Sequence, residues 1–220
     1  MTQPPWMLTA PIATISEHIE IGFVRALEKK DASVIAPEAP VWLFLKWLSE
    51  AGFLLHGSPL NGLKMLHPQP KDYDQPDEFS NRIGVYATDD PLWSMMYALR
   101  SQKAVGQMDM CLKRYIEGKW TERLYYYALG SHPDACDRVE TLMSPGRVYV
   151  LPRKGFERSP PYQHGSLGWV QEFHYLSEDT QTPLMSVPVK PRDFPLPVHV
   201  FDKAKIDAKA FDDPWGFPWL

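Results

Sequence analysis

The sequence predicts an α+β fold, with helices in its first half and mainly strands in its second, on three observations. Apolar residues recur at helical spacing in two segments ahead of Gly52 and again after Asp90. Short runs rich in β-branched and aromatic residues, separated by Pro and Gly clusters, dominate beyond residue 145. The chain has 220 residues, 44% of them hydrophobic and 13% aromatic, which is enough apolar side chain for the core of a single domain and excludes disorder of the whole. The 22 Pro and 13 Gly stay below the share typical of disordered chains and predict many loops.

Taken in order, Ser16 with Glu17, Glu20 and the apolar Ile19, Phe23, Val24 and Leu27 reads as a capped amphipathic helix ending near Lys29 and Lys30. A second helix runs from Pro40 or Val41 to Glu50, with Trp42, Leu45 and Leu48 on one face and Gly52 as its stop. Phe53-Leu54-Leu55 reads as a buried strand ending at His56-Gly57-Ser58-Pro59. Residues 66–81, rich in Pro, Asp and Gln, read as a surface loop carrying an acidic stretch from Asp72 to Glu78. Ile83 to Thr88 is a second strand, and Asp89-Asp90-Pro91 caps a helix whose inner face is Leu92, Met95, Met96 and Leu99.

The segment from Gln102 to Pro145 reads as an insertion with a helix over Met108 to Glu117 and a strand over Leu124 to Ala128. Strands follow at Arg147–Leu151, Leu167–Phe173, Leu184–Val189 and Val198–Phe201, then a short helix near Lys203–Phe211. The aromatic tail from Phe211 to Trp219 is expected to pack on the body. No repeat or linker divides the chain, so residues 1–220 read as one domain with an N-terminal helical extension over 1–39.

Composition also excludes function classes. Lys+Arg 23 against Asp+Glu 27 gives a formal charge of −4, against a duplex nucleic-acid binder. No apolar run approaches the roughly 20 residues of a membrane span. The start Met1-Thr2-Gln3-Pro4-Pro5 has no basic region of a secretion signal, and Cys111 and Cys136 lie outside any CxxC spacing, so a reducing cytoplasm is the expected compartment. The seven His are scattered without i, i+4 pairing and there is no HExxH, GxGxxG, GxxxxGK[ST] or GxSxG, so no metal site is expected.

One constellation remains. Leu54-Leu55-His56-Gly57-Ser58 closes one strand, Val85-Tyr86-Ala87-Thr88 closes a second, and Glu172 lies inside a late third. In order and spacing, with 30 residues from His56 to Tyr86, this resembles the ADP-ribosyltransferase superfamily, in the branch with a His, Tyr, Glu triad that includes poly(ADP-ribose) polymerases and diphtheria toxin. The resemblance covers roughly residues 42–201. It implies an α+β fold with a split antiparallel β-sheet, N-terminal helices and a helical insertion, and a cleft that binds NAD as substrate.

The implied roles are chemically reasonable. Glu172 would stabilise the cation that develops on ribose as the nicotinamide bond breaks. His56 would hold a ribose hydroxyl, and Gly57 would let the backbone approach the nicotinamide amide. Tyr86 would offer an aromatic face, with Ser58 and Thr88 as secondary hydrogen-bonding groups and Arg82 reaching the pyrophosphate.

Each residue also has an ordinary structural reading. His164-Gly165-Ser166 repeats the first tripeptide, but it follows Pro160-Pro161-Tyr162-Gln163 and reads as a turn. Glu157 and Glu178 compete with Glu172, which strand alternation sets opposite Gln171 and Phe173. The expected activity is ADP-ribosyl transfer to an acceptor, or NAD hydrolysis by water. The acceptor stays open among protein, nucleic acid and small molecule. The alternatives are a non-catalytic module of the same fold that binds a nucleotide or protein, and an RNA 2′-phosphotransferase.

Overall fold

The structure, a computed structural model, describes residues 4–70, 77–132 and 138–219. Residues 72–76 of the expected acidic stretch from Asp72 to Glu78, and Cys136, lie outside the described residues. The chain opens with β1 (Leu8–Thr9), α1 (Glu17–Lys29), α2 (Val41–Glu50), β2 (Leu54–Ser58), β3 (Val85–Thr88) and α3 (Pro91–Leu99). There follow β4 (Gly106–Ile116), β5 (Lys119–Trp120), β6 (Leu124–Ser131), the single turn α4 (Val139–Leu142), β7 (Gly146–Leu151), β8 (Glu157–Arg158) and β9 (Tyr162–His164). The last elements are β10 (Gly168–Glu172), β11 (His174–Ser177), β12 (Met185–Val189), β13 (His199–Asp202) and α5 (Lys203–Asp212).

The class is α+β, with two largely antiparallel sheets. The first has the order β1-β6-β4-β10-β9, with β13 joining β6 in parallel and β5 forming a hairpin with β4. The second has the order β12-β7-β2-β3-β11-β8. The chain passes from one sheet to the other at Phe173, between Glu172 at the end of β10 and His174 at the start of β11.

Local signals explain most elements. α1 begins after Ser16 as expected, but the Ser16 side chain makes no capping bond, and the acidic Glu17 and Glu20 in the first turn complement the helix dipole instead. α2 is closed by Gly52 at φ 95°, a backbone conformation that disfavours a side chain. α3 starts with Pro91 at its first turn, and the Asp90 carboxylate accepts the Trp93 amide at 2.9 Å. β2 runs on through His56 and Gly57 to Ser58, so the expected strand end lies inside the strand.

Residues 102–145 correct the expectation of a helical insertion. The segment read as a helix over Met108 to Glu117 is the eleven-residue strand β4, which pairs along β6 and occupies the middle of the first sheet. Every residue of β6 is buried, because both faces of this sheet are covered. Tyr125, Tyr127 and Leu129 join the main core, whereas Leu124, Tyr126 and Ala128 face a second cluster that Trp6, Phe217 and Trp219 help to close. The main core gathers Phe23 of α1, Phe44 and Leu48 of α2, Met95 and Met96 of α3 and residues of both sheets, including Leu55, Val148 and Cys111. Of the aromatic tail, Phe217 packs edge-on to Trp6 and to Tyr126 and Trp215 edge-on to His164, whereas Phe211, expected to pack with them, is 87% exposed. Among the described residues no helix is long and apolar enough to cross a membrane.

Candidate active site

β2 and β3 share only the Leu55–Thr88 pairing before they diverge, and the start of α3 packs beside the gap. The result is a cleft walled by His56, Gly57, Tyr86 and Thr88 together with Trp93 and His174. His56 and Tyr86, expected to act together, therefore meet in one cleft.

The His56 ring is oriented by its surroundings. Its Nδ1 lies 2.7 Å from the Tyr86 carbonyl oxygen, which only accepts, so Nδ1 carries the proton. Burial lowers the His56 pKa, opposed by that bond, so the ring is neutral at neutral pH and Nε2 is its acceptor end. Tyr86 is anchored at its far end, where the hydroxyl lies 2.9 and 2.8 Å from the Phe79 and Arg82 carbonyls. Burial, with the Asp77 charge adding to it, pushes its pKa up to about 12, so the phenol stays neutral. Tyr97, one turn after Trp93 on α3, also lines the cleft and is 42% exposed.

Gly57 has a structural reason beside the expected one. A Cβ there would lie 1.8 Å from the Ser94 carbonyl oxygen, so its lack of a side chain lets β2 pack against α3. The Thr88 hydroxyl is spent within the fold, donating to the Phe173 carbonyl at 2.5 Å and accepting from the Asp90 amide at 2.9 Å. Ser58 is buried and its hydroxyl accepts from the Leu60 amide at 3.2 Å, apart from the cleft walls.

Arg82 does not line the cleft. Its two terminal nitrogens each hold a carboxylate at 2.7 Å, one of Glu157 and one of Glu178. Those are the two residues that compete with Glu172 in the sequence reading, and both are exposed with Arg82 as partner.

Glu172 lies in an adjoining chamber that shares Trp93, Tyr97 and His174 with the cleft. The chain is extended through the crossing, so Phe173 enters the main core while Glu172 and His174 face the chamber. Glu172 Oε1 accepts from the Tyr162 hydroxyl at 3.2 Å, and Oε2 lies 3.5 Å from His174 Nε2. Burial first, then the Glu172 charge, raises the Tyr162 pKa far enough to keep this phenol a donor. The His174 ring stacks on Phe79 and on Trp93, with centroids 5.1 and 5.5 Å away, and forms the partition between cleft and chamber.

Reading the sequence alone misses Trp93, Tyr97, His174 and Asp109, which completes the chamber. Two signals were there to use. Trp93 and Tyr97 stand four apart on one helix, and His174 stands two after Glu172 in an extended segment. Compared with known protein families, curated proteins and solved structures, the chain matches none.

Proposed function

We propose that this chain cleaves the nicotinamide–ribose bond of NAD and passes ADP-ribose to an acceptor or to water, as a divergent ADP-ribosyltransferase whose split sheet is the pair of sheets joined at Phe173. The observation that carries this reading is the convergence of His56, Gly57 and Tyr86 on one cleft, with Glu172 next door behind shared walls. In the reaction the C1′–N bond breaks and its electron pair leaves with nicotinamide. Positive charge then develops on the ribose, where the Glu172 carboxylate is more valuable in the transition state than in the ground state. His56 Nε2 would accept from a ribose hydroxyl, and the Tyr86 and Tyr97 rings would flank the planar nicotinamide. Such an enzyme suits a reducing cytoplasm, where Cys111, buried and free, stays a thiol.

The test is nicotinamide release from NAD by the purified chain. Glu172→Gln should lower the rate by about a hundred- to thousandfold, the usual cost of losing one transition-state charge contact. His56→Ala should lower it with a larger share of the effect in KM. Binding of NAD with no release would favour the alternative of a non-catalytic nucleotide-binding module, a reading supported by Glu172 lying close to Tyr162 and His174. Neither binding nor release would sink both.

A further inference from the structure

We propose that the solvent face of the first sheet, where it emerges from the main core, is a docking surface for single-stranded nucleic acid. Bases stack there on three exposed aromatic rings, and phosphates meet the cations beside them.

The placement follows from register. Gln171 of β10 is the cross-strand partner of Lys113 of β4, and Tyr115 of β4 is that of Trp120 of β5. Cross-strand partners share a face, and residues two apart on a strand return to it, so Trp169 and Tyr115 stand on the same side of the sheet as Lys113. Nearer the middle of the sheet this side is covered: Cys111, two before Lys113, and its partner Tyr125 lie in the main core. Towards the end of β4 the cover stops, and Tyr115, Trp120 and Trp169 are 46, 42 and 51% exposed. The Tyr115 and Trp120 rings lie 5.3 Å apart, tilted by 58° rather than stacked on each other. Large rings gathered half in water add little to a core and mark an interaction surface.

The cations stand where this strip meets the core. Arg123, Arg158 and Lys113 approach the ring of Phe173, two residues beyond Gln171, at 3.9, 5.7 and 5.8 Å. Asp89 and Asp90 meet the charge of Arg123. Lys113 and Arg158 form no ion pair among the described residues, and Glu117 and Glu122, on either side of β5, form none with them. The face is therefore locally positive although the chain carries −4 overall.

That combination selects the partner. A neutral apolar partner would gain nothing from Lys113 and Arg158, and a simple anion would gain nothing from the rings. Single-stranded nucleic acid uses both, because every unpaired base offers a planar face and every link a phosphate. In a duplex the base faces are closed to the rings. Neither stacking nor phosphate contact reads the sugar, so DNA and RNA strands should bind alike.

The test is fluorescence anisotropy of a labelled thymidine dodecamer and a labelled uridine dodecamer, titrated with the full chain. Both should bind, and log affinity should fall with log salt by about 0.7 per phosphate held. Trp169→Ala should weaken both about five- to hundredfold, the usual cost of one stacked base, with the salt slope unchanged. Arg158→Gln, at an exposed position, should flatten the slope by about 0.7. Absence of binding at low salt would overturn the assignment, as would a thymidine–adenine duplex of the same length binding as tightly as the single strand. So would affinity indifferent to Trp169→Ala in protein with the parent circular dichroism. Binding of anionic phospholipid vesicles with none of the oligonucleotides would give the face to a membrane surface instead. No NAD is present in any arm, so glycosidic cleavage stands or falls separately.

Discussion

At Gly57 a single hydrogen atom in place of a side chain sets how closely β2 approaches α3. The Cβ of an alanine would meet the Ser94 carbonyl oxygen at 1.8 Å and the Ala98 amide nitrogen at 2.9 Å, both backbone atoms that no rotamer change moves aside. Gly57→Ala should therefore cost about 1–3 kcal/mol, the range for overpacking a filled core, read as a lower urea midpoint with unchanged m-value. Its neighbour gives a prediction in pH. Burial lowers the His56 pKa below its ordinary 6.5, so the unfolded chain takes up that proton first as pH falls. Stability from this group is then complete above about pH 6.5 and is lost on acidification, by up to about 1.4 kcal/mol per pH unit between the unfolded and folded values. His164, also lowered by burial, contributes in the same direction. The difference between the parent and His56→Gln across that range isolates His56, and a flat difference would show that the ring is not held neutral.

At the scale of elements, the β3 to α3 junction is fixed by one acidic pair. Asp90 is fully buried, caps α3 through the Trp93 amide, and accepts from Arg123 at 2.8 Å and from the Tyr125 hydroxyl at 2.7 Å. Asp89 beside it holds the other arm of Arg123 and the Tyr175 hydroxyl. Asp90→Ala removes a cap, leaves a partly buried guanidinium with one partner fewer and strands a buried phenol, so the expected loss is about 3–5 kcal/mol in urea unfolding. Asp90→Asn, which keeps the cap, should lose less.

This junction was legible in the sequence because its signals are local: Asp before Pro at a helix start, followed by apolar residues at helical spacing. So were α1, α2 and the late strands β7, β10, β12 and β13, whereas β8, β9, read as part of a turn, and β11 were missed. β4 was not legible, and the reason is its place in the sheet. In Met108-Asp109-Met110-Cys111-Leu112 apolar groups point to both covered faces, which erases the polar alternation that marks a half-exposed strand and mimics helical spacing. His56 and Tyr86 were legible as a pair through strand order, whereas the chamber was not. Its Asp109, Glu172 and tail aromatics are brought together only by tertiary packing.

At the scale of the whole molecule, the two sheets share the main core. Leu55, Val148 and Val187 of the second sheet and Tyr125, Tyr127 and Leu129 of the first pack with α1, α2 and α3 into one cluster, and Phe173 sits in it at the crossing. Three further links converge there: the Thr88 hydroxyl on the Phe173 carbonyl, the Arg123 guanidinium 3.9 Å over the Phe173 ring, and the chain itself between Glu172 and His174. Neither sheet keeps its buried face without the other, so denaturation should follow a single transition. Aromatic fluorescence and far-UV circular dichroism should give the same midpoint. Phe173→Ala should lower that midpoint by the equivalent of about 3–5 kcal/mol, since it empties a core site beneath a cation. The same substitution should lower nicotinamide release in protein that is still folded, because Glu172 and His174 take their directions from the backbone on either side of it. Two separated transitions, or a Phe173→Ala chain that releases nicotinamide at the parent rate, would mean that the crossing does not couple the sheets to the site.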